Sequence, residues 1–316
     1  MHVWDDTTVV PDDWPASVVA IGVFDGVHRG HRELIRHAVD VARVDGMPCV
    51  VLTFSPSPAE VLGHGDPPPR LATLKQRLRL IETLGVDSVC VLGFNREVAA
   101  LSPSQFAGSV LSDQLHAANV IVGENFRFGY KARGDVGLLS ILGRDLNFDV
   151  EGMHLLRSET LSVPVSSTLI RKLVASGDVA AAARSLVRPH RVEGIVVQGD
   201  GRGTGLGIPT ANLEPTPYPA FPADGVYAGR IELDPYGDKR ESLCAAISVG
   251  TNPTFDGVER RVEAYAYDAE GLSLYDQHIA VDFAARIRDQ EKFNTPEAMV
   301  DAVKLDVVKA RALLGR

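Results

Sequence analysis

Ile21-Gly22-Val23-Phe24-Asp25-Gly26-Val27-His28-Arg29-Gly30-His31 joins two segments of different grammar. Before it, Ser17 to Val23 is a short, β-branched apolar run of the kind a buried parallel strand needs. After it, Arg32 to Val44 has helical spacing, with Leu34, Ile35, Ala38, Val41 and Ala42 on one face. Gly22, Gly26 and Gly30 permit a sharp turn and a close approach of backbone to a ligand. His28 and His31 fall where the first N–H groups of the helix are free, a place that attracts anions. Imidazoles there can donate hydrogen bonds to phosphoryl oxygens whose charge grows in a transition state. The plainer reading is a tight turn with two solvated histidines. A zinc pair is disfavoured, because no Cys or third His lies at ligand spacing nearby.

Outward from this stretch the alternation continues. Pro48–Phe54 reads as a second strand, Ser55–Arg70 as a proline-rich loop and Thr73–Leu84 as a helix. Asp87–Gly93 is a third strand, Pro103–Leu115 a helix and Asn119–Gly123 a fourth strand, with a helix near Gly134–Leu142 and a strand near Asn147–Met153. Strands alternating with amphipathic helices predict a doubly wound parallel sheet that binds ligands at the carboxyl ends of its strands. Two later loops follow that rule. Gly123-Glu124-Asn125-Phe126-Arg127-Phe128-Gly129 is either a glycine-bounded turn with two buried aromatics or a ligand loop. In Val165-Ser166-Ser167-Thr168-Leu169-Ile170-Arg171 the hydroxyl residues are good helix caps, and Arg171, one turn in, would reach a phosphate held at that N-terminus.

After Val187-Arg188-Pro189-His190, read as a linker, the helical alternation stops. Val192–Gln198, Val226–Leu233, Leu243–Val249, Val262–Tyr267 and His278–Phe283 are strand-like and separated by Gly, Pro and Asp, which predicts an antiparallel barrel or sandwich. One helix closes the chain, with Thr295 as cap and Pro296 at its first position. Gly199 to Asn212, GDGRGTGLGIPTAN, is glycine-rich without the Gly-Lys-Ser/Thr of a Walker loop.

Composition narrows the class. The chain has 316 residues, enough for two domains, placed here at 1–186 and 187–316. Apolar residues make up 45% and charged residues 23%, with no apolar run of membrane-spanning length and no signal-peptide start, so a soluble cytoplasmic protein without a membrane partner is expected. Cys49, Cys90 and Cys244 stand singly in apolar runs and read as buried small residues. A net charge of −9 argues against a nucleic-acid surface but not against ATP. A homo-oligomer is compatible with the sequence.

The opening stretch resembles the His-x-Gly-His signature of nucleotidyltransferases, in the Gly-x-Phe-Asp-Gly-Val-His-x-Gly-His form of bacterial FAD synthetases. Gly123–Gly129 is similar to that family's Gly-x-Asp/Asn-Phe-x-Phe-Gly motif, and Ser166–Arg171 to its Ser-Ser-Thr-x-x-Arg motif. Pro209-Thr210-Ala211-Asn212 resembles the Pro-Thr-Ala-Asn signature of riboflavin kinases, accompanied by Gly225–Gly229, Gly250–Phe255 and Arg261-Val262-Glu263.

The resemblance implies a nucleotidyltransferase-like sheet followed by a riboflavin kinase barrel. It implies phosphorylation of riboflavin to FMN and adenylylation of FMN to FAD, with ATP as co-substrate and Mg²⁺ as metal. His28, His31, Arg171 and Glu263 would be catalytic, Glu263 as the base at the ribityl 5′-hydroxyl. Gly22, Phe24, Asp25, Gly26, Asn125, Ser166, Ser167 and Thr168 would hold nucleotide or flavin in the first domain. Gly201, Gly203, Gly207, Thr210 and Asn212 would do so in the second, with Thr210 and Asn212 also on the metal. Hydroxyl and amide oxygens are suitable hard ligands for Mg²⁺. Two departures stand out. Ser57 replaces the histidine of the family's Thr-Phe-x-Pro-His-Pro, and Thr204 replaces an arginine common in the glycine loop. Ser57 leaves open a second reading, a kinase whose first domain is a decayed flavin- or nucleotide-binding module, unless Arg127, Lys131 or a water supplies the missing donor.

Overall fold

The computed structural model describes residues 1–63, 65–158, 163–199, 208–254, 257–269 and 274–315. The chain divides into two compact units, Met1–Pro68 with Ala72–Ser166, and Pro69–Leu71 with Ser167–Arg316.

In the first unit, β1 (His2–Trp4), β2 (Ser17–Ile21), β3 (Cys49–Phe54), β4 (Ser88–Leu92), β5 (Ala117–Gly123) and β6 (Asp149–Met153) form one sheet in the order β1-β4-β3-β2-β5-β6. All its pairs are parallel. β2, β3 and β4 are buried at every position, which is why they read as unbroken apolar runs. The helices are α1 (Arg29–Asp45), α2 (Pro58–Leu62), α3 (Leu74–Glu82), α4 (Arg96–Ala100), α5 (Pro103–Gln105, running on as a π-helix over Phe106–Gln114) and α6 (Val136–Leu146). Ile35, Ala38 and Ile81 pack on one face of the sheet with Val18, Ala20 and Val51. Phe106, Leu111 and Leu139 pack on the other with Val19, Leu52 and Val120. The expected doubly wound sheet is therefore present. Strand order reverses at β2, which has β3 on one side and β5 on the other, and a crevice at such a switch point is where ligands bind in these sheets. β1 was not expected from three residues; its pairing with β4, Val3 opposite Val89, holds it at the sheet edge.

The second unit contains α7 (Ser167–Ala175), α8 (Val179–Leu186), then β7 (His190–Val197), β8 (Ala211–Pro215), β9 (Gly225–Leu233), β10 (Glu241–Thr254), β11 (Gly257–Ala266), β12 (His278–Arg288) and α9 (Pro296–Leu313). The strands close into a barrel in the order β10-β11-β8-β7-β12-β9, with every pair antiparallel, which decides between barrel and sandwich. Val192, Leu213, Tyr227, Ile247, Val262 and Phe283 fill its core. β8 is a strand that the sequence pattern did not reveal, since only Ala211 and Leu213 point inward. Val179 of α8 belongs to the same core, so the two helices before residue 187 group with the barrel. His190, read as linker, is the first residue of β7; it is buried, and its Nε2–H donates to the Ala220 carbonyl at 2.6 Å. All three cysteines are buried and unpaired, and burial pushes the thiols of Cys49 and Cys90 up to about 12.

Candidate active sites

The first site is built on the turn after β2. Gly22 N–H still donates to Leu52 O at 3.1 Å, and the chain then leaves the sheet. Phe24, Gly26 and Val27 have φ of 52°, 78° and 41°. A β-branched residue at positive φ is uncommon, and such strain gathers at functional turns where the surroundings over-determine the backbone. A Cβ on Gly22 would lie 2.8 Å from the Phe24 ring, so the packing of that ring demands glycine. Asp25 is buried, and its Oδ1 accepts a hydrogen bond from Ala72 N–H at 3.2 Å, fastening the turn to the start of α3.

His28 is the N-cap of α1: its Nδ1 accepts from His31 N–H at 3.3 Å. In the neutral ring that role leaves the proton on Nε2. The two imidazoles stack with centroids 3.5 Å apart and planes 20° apart, and Phe24 meets His31 edge-on at 5.2 Å. His31 Nδ1 is shielded from solvent and has no hydrogen-bond partner. Burial holds the His31 pKa well below 6.5, helped by the charges of His28 and Arg77. His31 is therefore a neutral imidazole at neutral pH, beside a helix N-terminus, with a buried nitrogen that a ligand can satisfy.

Asn125 lies on the loop after β5, the neighbour of β2, so both loops leave the same end of the sheet at the switch point. Asn125 is exposed and its Oδ1 sits 3.1 Å from where a Cβ on Gly123 would be. Phe126 stacks on the buried Phe128 at 5.6 Å. Arg127 pairs with Asp135 at 3.3 Å and Lys131 lies over the Tyr130 ring at 5.3 Å. Ser57 has a local task. It caps α2 in a reciprocal box, its hydroxyl accepting from Glu60 N–H and its own N–H donating to Glu60 Oε2 at 2.9 Å.

Ser166 ends the first unit, whereas Ser167, Thr168 and Arg171 open α7 in the second. Arg171 Nε–H donates to Pro69 O at 2.7 Å.

The second site lies on the outside of the barrel. Ala211 and Leu213 of β8 and Val262 and Ala264 of β11 face the core, so the alternation of a strand turns Asn212 and Glu263 outward. The register places Glu263 directly opposite Asn212. Asn212 Nδ2 points at Thr210 O, 3.5 Å away, which directs the amide oxygen elsewhere. A Cβ on Gly199 would fall 2.2 Å from Asn212 Nδ2, so the backbone at Gly199, just beyond β7, lies directly over this side chain. Gly201, Gly203 and Gly207 lie outside the described residues. Among the described residues, no group of three His, Cys, Asp or Glu could hold a metal ion. The oxygen donors of Thr210 and Asn212 suit Mg²⁺, which takes few protein ligands and fills its shell with phosphate and water.

Sequence reasoning missed Arg77. Arg77 falls on the apolar face of α3 among Leu74, Leu78 and Ile81, and a charge at a core position is the signal that could have found it.

Residues 10–169 match the FAD synthetase family and residues 186–314 the riboflavin kinase family. The bifunctional riboflavin kinase/FMN adenylyltransferase of Escherichia coli is 34% identical over 298 residues, covering 94% of this chain and 93% of that protein. The Bacillus subtilis protein of the same description is 30% identical over 315 residues, covering 98% and 96%. A crystal structure described as a macrolide-efflux protein from Streptococcus pneumoniae matches with a TM-score of 0.87 at 31% identity over 98% of both chains. Among the described residues no helix is long and apolar enough to cross a membrane. Both halves of the chain and their order agree: it belongs to the bifunctional riboflavin kinase/FMN adenylyltransferase family.

Proposed function

We propose that the barrel unit transfers the γ-phosphoryl group of ATP to the ribityl 5′-hydroxyl of riboflavin, giving FMN and ADP. The sheet unit then joins the FMN phosphate to the α-phosphorus of a second ATP, giving FAD and pyrophosphate. The observation that carries this reading is the pairing of two sites with the two family matches: stacked His28 and His31 at the switch point, and Glu263 opposite Asn212 on the barrel.

In the first reaction Glu263 accepts the hydroxyl proton as the oxygen attacks, a general-base role suited to a half-buried carboxylate beside the nucleotide ligands. Thr210 and Asn212 would hold Mg²⁺, which neutralises phosphate charge when bound. In adenylyl transfer the FMN phosphate is already an anionic nucleophile and needs no base. His28, through Nε2–H, and His31 stabilise the α-phosphate as charge builds on it, and the N-terminus of α1 adds its dipole. Arg171 and the hydroxyls of Ser166, Ser167 and Thr168 supply further donors to phosphate, and Asn125 orients nucleotide or flavin. The functional division is assigned between residues 186 and 187, a reading supported by the start of the riboflavin kinase match at residue 186, although α7 and α8 pack with the barrel. Three buried thiols support a reducing, cytoplasmic setting, and the net charge of −9 supports small-molecule rather than nucleic-acid partners.

The test is incubation of the full chain with riboflavin, ATP and Mg²⁺, followed by chromatographic separation of flavins. FMN and FAD together are expected. FMN alone would support the decayed adenylyltransferase, and neither product would defeat the proposal.

A further inference from the structure

Arg77 is 7% exposed, and burying a guanidinium is costly unless its donors are used. Both terminal nitrogens are used on backbone, whereas the buried Nε is not hydrogen-bonded: Nη1 donates to Val23 O at 2.6 Å and Nη2 to Phe54 O at 3.0 Å. Phe54 ends β3, and Val23 stands two residues beyond β2, immediately before the left-handed Phe24. Thr53 Oγ1–H donates to the same Val23 carbonyl at 3.1 Å. Ahead of α3, Ala72 N–H holds Asp25. The α3 segment thus grips the strained turn at two points, Val23 and Asp25. The turn ends in His28, whose cap bond and ring stacking set His31.

We propose that Arg77 is a positioning residue for adenylyl transfer: by tying the Val23 carbonyl to that of Phe54, its fork-shaped guanidinium fixes the turn that presents His28 and His31. The planar fork spans two carbonyls at once, which a lysine ammonium does not reproduce. The cation has a second effect, since its charge helps keep His31 neutral. The proposal rests on the reading of His28 and His31 as the groups that act on the α-phosphate.

The experiment compares wild type, Arg77→Lys, Arg77→Met and His28→Ala in the full chain, measuring kcat and KM for FMN adenylylation, riboflavin phosphorylation and Tm. Misplacing a reacting group by about 1 Å can cost a hundredfold, so kcat for adenylylation should fall about tenfold in Arg77→Lys and about a hundredfold in Arg77→Met. KM for FMN and ATP should change little, because the loss is confined to the transition state. Riboflavin phosphorylation should be unchanged. Wild-type adenylylation in folded Arg77→Lys, or a parallel fall in both reactions, would overturn the proposal. If His28→Ala also retained full adenylylation, the underlying reading would fail and take this proposal with it. If His28→Ala were inactive while Arg77→Lys were normal, only the role of Arg77 would be lost. Should the Arg77 variants not fold, Thr53→Val keeps the shape and removes the other donor to Val23. It should lower kcat for adenylylation alone, and a wild-type rate would overturn the proposal.

Discussion

Replacing Gly199 by alanine adds one methyl group directly over the second site. The new Cβ would lie 2.2 Å from Asn212 Nδ2, 2.4 Å from its Cγ and 2.6 Å from its Oδ1. Ordinary contact begins at 3.4 Å, so the carboxamide must retreat by about 1 Å or rotate away. Alanine meets no backbone obstacle here, because Gly199 is not among the positive-φ glycines. A Gly-to-Ala change at an unstrained position stabilises by about 0.4–1 kcal/mol through the unfolded chain, which offsets part of the steric cost. The fold should therefore survive with Tm changed by a few degrees at most, while the donor opposite Glu263 is displaced. A group misplaced by that distance can cost roughly a hundredfold in rate. The assay is steady-state riboflavin phosphorylation at saturating ATP and Mg²⁺, with FMN adenylylation measured on the same preparation. Phosphorylation should fall about a hundredfold and adenylylation should hold. Unchanged phosphorylation would refute the role assigned to Asn212.

Three further outcomes follow from the structure. Burial holds the His190 pKa at about 4 against 6.5 when unfolded, so its contribution to stability is complete above pH 6.5 and is lost as pH falls toward 4, by about 3 kcal/mol. Thermal unfolding of His190→Gln, which keeps a donor for Ala220 and does not titrate, should show a correspondingly shallower loss between those values. Ser57→His removes the α2 cap, at a cost of about 1 kcal/mol, and introduces the imidazole usual in the family. Single-turnover FMN adenylylation should rise without a change in riboflavin phosphorylation, and equal rates would show that histidine to be dispensable here. A fragment from Ser167 onward should phosphorylate riboflavin and make no FAD, whereas one from Val187 onward forfeits the buried Val179 and should unfold at lower denaturant concentration, losing roughly 2 kcal/mol.

The parallel sheet was legible because β2, β3 and β4 are buried throughout and so carry continuous apolar runs between helical patterns. The strand–turn–helix at Gly22–His31 was equally legible, since the turn chemistry and the helix spacing agree. β8 was not, because five residues with two inward side chains give too short an alternation, and its pairing with β7 and β11 comes from distant sequence. Arg77 was legible only as a charge on the apolar face of α3. Its partners are the carbonyls of Val23 and Phe54, and backbone acceptors leave no residue-type signal for its role. The grouping of α7 and α8 with the barrel likewise depends on Val179 finding a core whose other members come from later strands. Ser57 shows the converse, a departure from the family pattern that has a local use as a helix cap.

The central claim is that two separate sites run two successive reactions, and crossed substitutions test it most directly. Glu263→Gln and His28→Ala are assayed separately for riboflavin phosphorylation and for adenylylation of added FMN. Removing a general base costs about a hundredfold to ten-thousandfold, so Glu263→Gln should lose phosphorylation by that order and retain FAD formation from FMN. His28→Ala should do the reverse. Suppression of the same half-reaction by both substitutions would contradict the account.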